Sequence, residues 1–217
     1  MKSLRFSEFT KLLNKFYEKV QTEIEKFNGR IVCERGCSFC CEFTECYALP
    51  VEAASVALFL NENSDSNLKA ELSKKIENFR INYRKYIAKG SFNVDPQFFG
   101  ILSSRIRAMR IPCPFLTDKN DCLIYTVRPL TCRTYISYSQ EDCEGELIPA
   151  VMQEEKFLRW LTQVNSELGT INKMFLLKAN VYEGNVIHRS LLPLMLRLQQ
   201  DEFVTGIDEF NIFKIKK

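Results

Sequence analysis

Four cysteines fall within the nine residues CERGCSFCC, at Cys33, Cys37, Cys40 and Cys41. A stretch so rich in thiols implies an ion or cluster that it encircles, disulfide pairing, or thiol catalysis. With 217 residues the chain can bury a proper core without an external staple, so size does not force either metal or disulfide. The opening MKSLRFSEFTKLL is interrupted by charges and has no signal-peptide core, and SLLPLMLRL is about half the length of a membrane span. The chain is therefore expected in the cytoplasm, with no membrane segment. In a reducing compartment its nine cysteines, an odd number, are better explained as ligands or reactive thiols than as disulfides.

The remaining cysteines extend the pattern. Cys113, Cys122 and Cys132 form a second group, with Cys143 as an undecided fourth member and Cys46 trailing the first group. Cys37 and Cys40 make a C-x-x-C, a spacing that lets two thiolates reach one ion from a tight turn while a distant group completes the shell. Thiolate sets of this kind suit zinc and iron–sulfur clusters alike. Adjacent side chains diverge, so Cys40 and Cys41 are expected to serve different ions or different irons of one cluster. Seven residues, Cys33, Cys37, Cys40, Cys41, Cys113, Cys122 and Cys132, are assigned as metal ligands, and Cys46 reads as a small buried hydrophobe. The single histidine, His188 in VIHRS, reads as a surface or capping residue.

Charge adds little. Thirty basic residues against 27 acidic ones leave a formal +3, which provides no electrostatic footprint for nucleic acid or an anionic membrane. The partner the sequence points to is a metal ion or cluster.

Hydrophobic periodicity predicts a mainly α protein. Phe9, Leu12, Leu13, Phe16, Tyr17, Val20, Ile24 and Phe27 recur at three and four over Ser7 to Phe27, an amphipathic helix closed by Asn28 and Gly29. Pro50 opens a second helix, PVEAASVALFLNEN, with Glu52 near its positive end. A third pattern runs through Leu68, Leu72, Ile76, Phe79, Tyr83 and Ile87 to Gly90, and residues 91–111 are ambiguous. CPFLTDKNDCLIY has two short apolar segments around a polar turn, a β-hairpin whose prolines confine the first strand to an edge. Further helices are expected from Phe157 to Leu168 ahead of Gly169, over Met174 to Tyr182, and from about Ser190 to Phe203. The expected organisation is a single helical domain over residues 1–217. Its cysteine-rich, metal-binding core spans 30–145, and 1–29 and 146–217 are helical flanks.

CERGCSFCC followed in order by CPFL, CLIY and RPLTCR resembles the CxxCxxCC family of bacterial proteins, also described as YkgJ-type cysteine-cluster or zinc- or iron-chelating domains. The matching words run from Cys33 to Arg133. The resemblance implies a domain that binds zinc or an iron–sulfur cluster through the seven cysteines assigned above; four thiolates fill one tetrahedral site or hold one [4Fe–4S] cluster. A related cysteine pattern looks like part of the flagellin lysine methylases, in which an iron–sulfur cluster accompanies methyl transfer. Arg128 and Arg133 flank Cys132 and are placed to donate hydrogen bonds to cluster sulfurs or to an acidic ligand. Pro129 fixes the approach of Cys132, and Tyr125 and Tyr135 either close the site from water or pack in the core.

Two rival functions share these residues. Cys33, Cys37 and Cys40 look like the C-x-x-x-C-x-x-C signature of radical S-adenosylmethionine enzymes, yet long helical patterns and only eight glycines do not suit repeated strand–helix units. A zinc-stapled adaptor without catalysis is the other. Iron–sulfur is slightly favoured over zinc, because tightly grouped thiolates with two adjacent cysteines fit a polynuclear centre better than one ion.

Overall fold

The computed structural model describes residues 2–27, 33, 36–42, 46–88, 111–139, 141, 150–179, 190–206 and 212–216. In chain order these give strand β1 (Lys2–Arg5), helix α1 (Ser7–Glu25), a 3-10 turn (Phe39–Glu42), β2 (Tyr47–Ala48), α2 (Pro50–Asn63) and α3 (Ser66–Ala88). A second 3-10 turn (Tyr125–Val127) leads to α4 (Leu130–Thr134), α5 (Ala150–Gln153) and α6 (Glu155–Lys178). The C-terminal part holds β3 (Ser190–Leu191), α7 (Leu192–Met195), β4 (Leu196–Gln199), β5 (Glu202–Gly206) and β6 (Ile212–Lys216). The protein is mainly α, as its periodicity predicts.

α1 buries Phe9, Leu13, Phe16, Tyr17, Val20 and Ile24, the three-and-four stripe of the sequence, against α6 and α4. α2 is sunk far deeper. Pro50 fits its first turn, where no N–H is needed. Val51, Ala53, Ala54, Val56, Ala57 and Leu60 are all inaccessible, so the helix is apolar nearly all round and packs on α6 and β5. It divides two apolar clusters. One gathers Phe6, Phe9, Phe16, Phe157 and Phe175 around α1 and α6. The other joins Leu60, Ile76, Phe115, Ile124 and Phe203, and Cys113, Cys122 and Cys132 pack against it.

Three expectations are corrected. The helix expected over 190–203 is instead the short α7 followed by a β4–β5 hairpin. Leu196 and Leu198 stand two apart within β4, the strand period rather than 3.6, and Gln200 and Asp201, at φ 49° and 60°, form a left-handed two-residue turn that matches strand twist. The hairpin expected at 113–125 contracts to one antiparallel bridge, Leu116 to Cys122. Pro112 and Pro114 have no N–H to donate to a longer ladder. Gly169 does not end a helix: α6 runs through it without a break, its packing against α1 and α2 outweighing the roughly 1 kcal/mol that glycine costs in a helix interior.

The strands complete the frame. β1, β6, β5 and β4 form one sheet in that order, β1 parallel to β6 and the other pairs antiparallel, while β2 and β3 pair separately as antiparallel strands. Asn61 of α2 clamps β5 to the helices, donating from Nδ2 to the Phe203 carbonyl at 2.8 Å and accepting from the Phe203 N–H at 2.6 Å. No described helix is long and apolar enough to cross a membrane. Cys143, His188, Gly90 and most of the ambiguous 91–111 stretch lie outside the described residues.

Candidate metal centre

Two segments far apart in sequence are stitched together by their backbones. Gly36 adopts φ 95°, a left-handed conformation open to glycine at little cost, and turns the chain into Cys37. The following 3-10 turn carries Cys40 and Cys41, and the Cys113 N–H donates to the Cys41 carbonyl at 2.7 Å. The reversal at 117–121, closed by Thr117 N–H to the Asp121 carbonyl at 2.9 Å with Asn120 at φ 59°, returns the chain from Cys113 to Cys122. The 3-10 turn Tyr125–Val127 then leads to α4, which carries Cys132 and Arg133.

The product is a cavity of about 70 Å³ lined by Cys37, Cys40, Cys41, Cys46, Cys113, Cys122 and Cys132, with Arg128, Tyr125 and Tyr135 on its wall. Six of the seven cysteines assigned from sequence meet here. Cys33 does not: it packs against the α1–α6 cluster, lines a neighbouring cavity and sets its thiol 3.9 Å from the Tyr135 carbonyl. Cys46, read from sequence as a buried hydrophobe, is indeed 5% exposed, yet its sulfur lies 3.3 Å from that of Cys132. Its position on the cavity wall depends on β2 and on the Leu192 N–H donating to its carbonyl at 2.8 Å, long-range contacts with no local signature.

All eight cysteines of the described residues are free thiols. A hydrogen bond with Cys41, then burial, push the Cys40 thiol well above its ordinary pKa. Cys46 is pushed up by its hydrogen bond with Cys132 and by burial, and Cys113 by burial first and the charge of Cys132 second. Burial takes Cys122 up to about 11. Thiols packed this closely resist ionising beside one another, and a cation is what would let them lose their protons. Among the described residues no three Cys, His, Asp or Glu groups already converge to a metal shell. The thiols instead surround a shared space.

Arg128 tests whether the wall suits a charged centre. Its guanidinium stacks on Tyr125 at 4.1 Å, and its Nε is buried without a hydrogen-bond partner among the described residues. Its positive charge favours the thiolate forms of Cys40 and Cys122. A buried orphan donor costs about 1–3 kcal/mol, which an anionic sulfur beside it would relieve. The donor set therefore fits a thiolate-bound metal.

Behind the cavity lies a polar network that sequence reasoning missed. Glu52 of α2 is 1% exposed and accepts three hydrogen bonds: from Tyr17 Oη at 2.7 Å, from the Leu130 N–H at 2.7 Å and from the Leu49 N–H at 2.8 Å. The Leu130 bond anchors the first turn of α4, two residues before Cys132. Arg133 stacks on the Tyr17 ring at 4.1 Å, with Nε bonded to the Arg128 carbonyl at 2.8 Å and Nη2 to the Thr126 carbonyl at 2.6 Å. Burial lowers the Arg133 pKa, and the charges of Tyr17 and Glu52 act against that. Asn172 of α6 adds a contact from the other side, its Oδ1 accepting from the Val51 N–H at 3.1 Å. Pro50 and Glu52 signal a helix start; the reach of Glu52 to Leu130 has no local sign.

Residues 32–162 match the family described as "CxxCxxCC: Putative zinc- or iron-chelating domain", which covers more than half of the chain and every cavity cysteine. The protein belongs to the CxxCxxCC family. No curated protein and no solved structure matches it. The CxxCxxCC match spans 32–162 and ends inside α6, so it takes in Leu49, Val51, Glu52, Leu130 and Arg133 but not their partners Tyr17 and Asn172 or the C-terminal strands. It supports metal binding of the zinc or iron type.

Proposed function

We propose that the CxxCxxCC protein holds a polynuclear thiolate metal centre, iron–sulfur rather than zinc, in the cavity between the 36–46 and 113–132 segments. The observation that carries this reading is seven cysteine side chains on one cavity of about 70 Å³. A single tetrahedral zinc takes four thiolates at about 2.3 Å and leaves no solvent-sized space between them. The cavity is several times the roughly 10–15 Å³ that one water requires, room for a core of several atoms. Ligands are drawn from Cys37, Cys40, Cys41, Cys46, Cys113, Cys122 and Cys132. Arg128 offsets the negative charge of the thiolates, Glu52 fixes α4 and hence Cys132, and Tyr125 and Tyr135 limit solvent entry.

An iron–sulfur centre would supply one-electron redox chemistry, or an iron open to a ligand if one position is not filled by cysteine. Free thiols persist under reducing conditions, in keeping with a cytoplasmic site of action. The test is elemental analysis with an absorption spectrum on anaerobically purified protein. Iron and acid-labile sulfide, with a brown colour that bleaches on reduction, are expected. Colourless protein carrying stoichiometric zinc and no iron would replace this reading with a zinc-stapled domain.

A further inference from the structure

A second cavity adjoins the thiol-lined one. Tyr125, Arg128, Cys132 and Tyr135 line both. The second is the larger, about 320 Å³, at the lower end of the range for small-molecule sites. α1 supplies its far wall through Gln21, Ile24 and Glu25, and Ile136 adds apolar surface beside the tyrosines.

Its polar lining is unevenly charged. Arg133 and Arg128 both face it. Buried Glu52 sits behind Arg133 and answers that charge, and two backbone carbonyls take up its Nε and Nη2. Arg128 has no carboxylate partner among the described residues; stacking on Tyr125 occupies a face of its guanidinium and leaves the edge donors to find acceptors. A guanidinium has five N–H donors, so one sulfur acceptor at Nε does not exhaust it. Among the described residues the single acid of the lining is Glu25, which is exposed and accepts from Gln21 Nε2 at 3.3 Å. The wall thus combines a planar cation that has no carboxylate partner among the described residues with an aliphatic and aromatic surface. A carboxylate matches the fork of a guanidinium, and an apolar body matches Ile24, Ile136 and the tyrosine rings. A hydrated inorganic anion would use the first feature and waste the second.

We propose that this second cavity binds a small organic carboxylate, its head on Arg128 and its apolar part against Ile24 and Ile136, directly beside the metal centre. The proposal deepens the metal-centre reading by naming the class of molecule presented to it, and binding is measured separately from metal content so that the two can fail independently.

The experiment is calorimetric titration of the full-length, anaerobically purified protein with benzoate, its neutral isostere benzyl alcohol, and inorganic phosphate. Benzoate is expected to saturate one site, and the other two to bind at least tenfold more weakly, the ratio that loss of one charge-assisted contact produces. Arg128→Gln should weaken benzoate at least tenfold. Because Arg128 also touches the thiol cavity, Gln21→Glu serves as the second variant. It adds a carboxylate to the α1 wall at a residue that does not line the seven-cysteine cavity, and should weaken benzoate to a similar degree with metal content unchanged. Absence of saturable benzoate binding, equal binding of benzyl alcohol, preference for phosphate, or unchanged affinity in Gln21→Glu would each overturn the proposal.

Discussion

Glu52→Gln perturbs the fold at the point where stability and the metal site meet. The carboxylate accepts from Tyr17 Oη, Leu130 N–H and Leu49 N–H, at 2.7, 2.7 and 2.8 Å. An amide of the same shape has one acceptor and one donor end. With the NH₂ at Oε2 it faces the Leu49 N–H; with the NH₂ at Oε1 it faces the Leu130 N–H. Either orientation opposes a donor to a buried backbone donor, at about 1–3 kcal/mol, and loses the charge that faces Arg133. We expect a loss of about 2–4 kcal/mol, which for a chain of this size lowers Tm by roughly 5–15 °C. Tyr17→Phe removes one bond and leaves the two backbone bonds intact, so it should cost about 1 kcal/mol. The assay is urea denaturation of metal-loaded protein, with metal release to a chelator followed in parallel. Glu52→Gln should release metal faster than Tyr17→Phe, because it frees the first turn of α4 beneath Cys132. A Glu52→Gln variant within about 0.5 kcal/mol of wild type, with unchanged metal release, would refute the reasoning.

Three further outcomes follow from the geometry. Cys132→Ser, Cys113→Ser and Cys46→Ser should each lower bound metal, whereas Cys33→Ser should retain it; elemental analysis of the four variants separates the cavity set from the sequence-assigned set. Metal-free protein should lose stability as pH rises from about 9 to about 11. In that window the unfolded Cys122 thiol ionises near its ordinary value of 9.0 while the folded one stays protonated up to about 11, so the folded state binds more protons. Cys122 alone accounts for about 2–3 kcal/mol, read by chemical denaturation across that range, and a flat profile would contradict the burial of this thiol. Gln200→Gly should raise stability by up to about 1 kcal/mol, since Gln200 holds φ 49° in the β4–β5 turn; thermal unfolding measures it.

The α1 stripe was legible because one face of a surface helix repeats at three and four, and all six residues that α1 buries belong to it. α2 was placed by Pro50 and its length, although its depth was not: a helix covered on nearly all sides has no amphipathic face to read. The C-terminal strands were misread because leucines at 191, 192, 194, 196 and 198 satisfy a helical and an alternating pattern over so short a run. At the site, cysteine clustering found six of the seven cavity cysteines. It included Cys33, whose sequence spacing to Cys37 is plausible but whose packing is with α1 and α6. It set aside Cys46, which only tertiary contacts bring to Cys132. Glu52 escaped because its partners Tyr17 and Leu130 lie 35 and 78 residues away.

X-ray absorption at the metal edge of the anaerobically purified protein tests the central claim most directly. A polynuclear thiolate centre predicts a first shell dominated by sulfur, near 2.3 Å, together with a short metal–metal distance. A shell dominated by nitrogen or oxygen, or a sulfur shell with no metal–metal scattering, would contradict it.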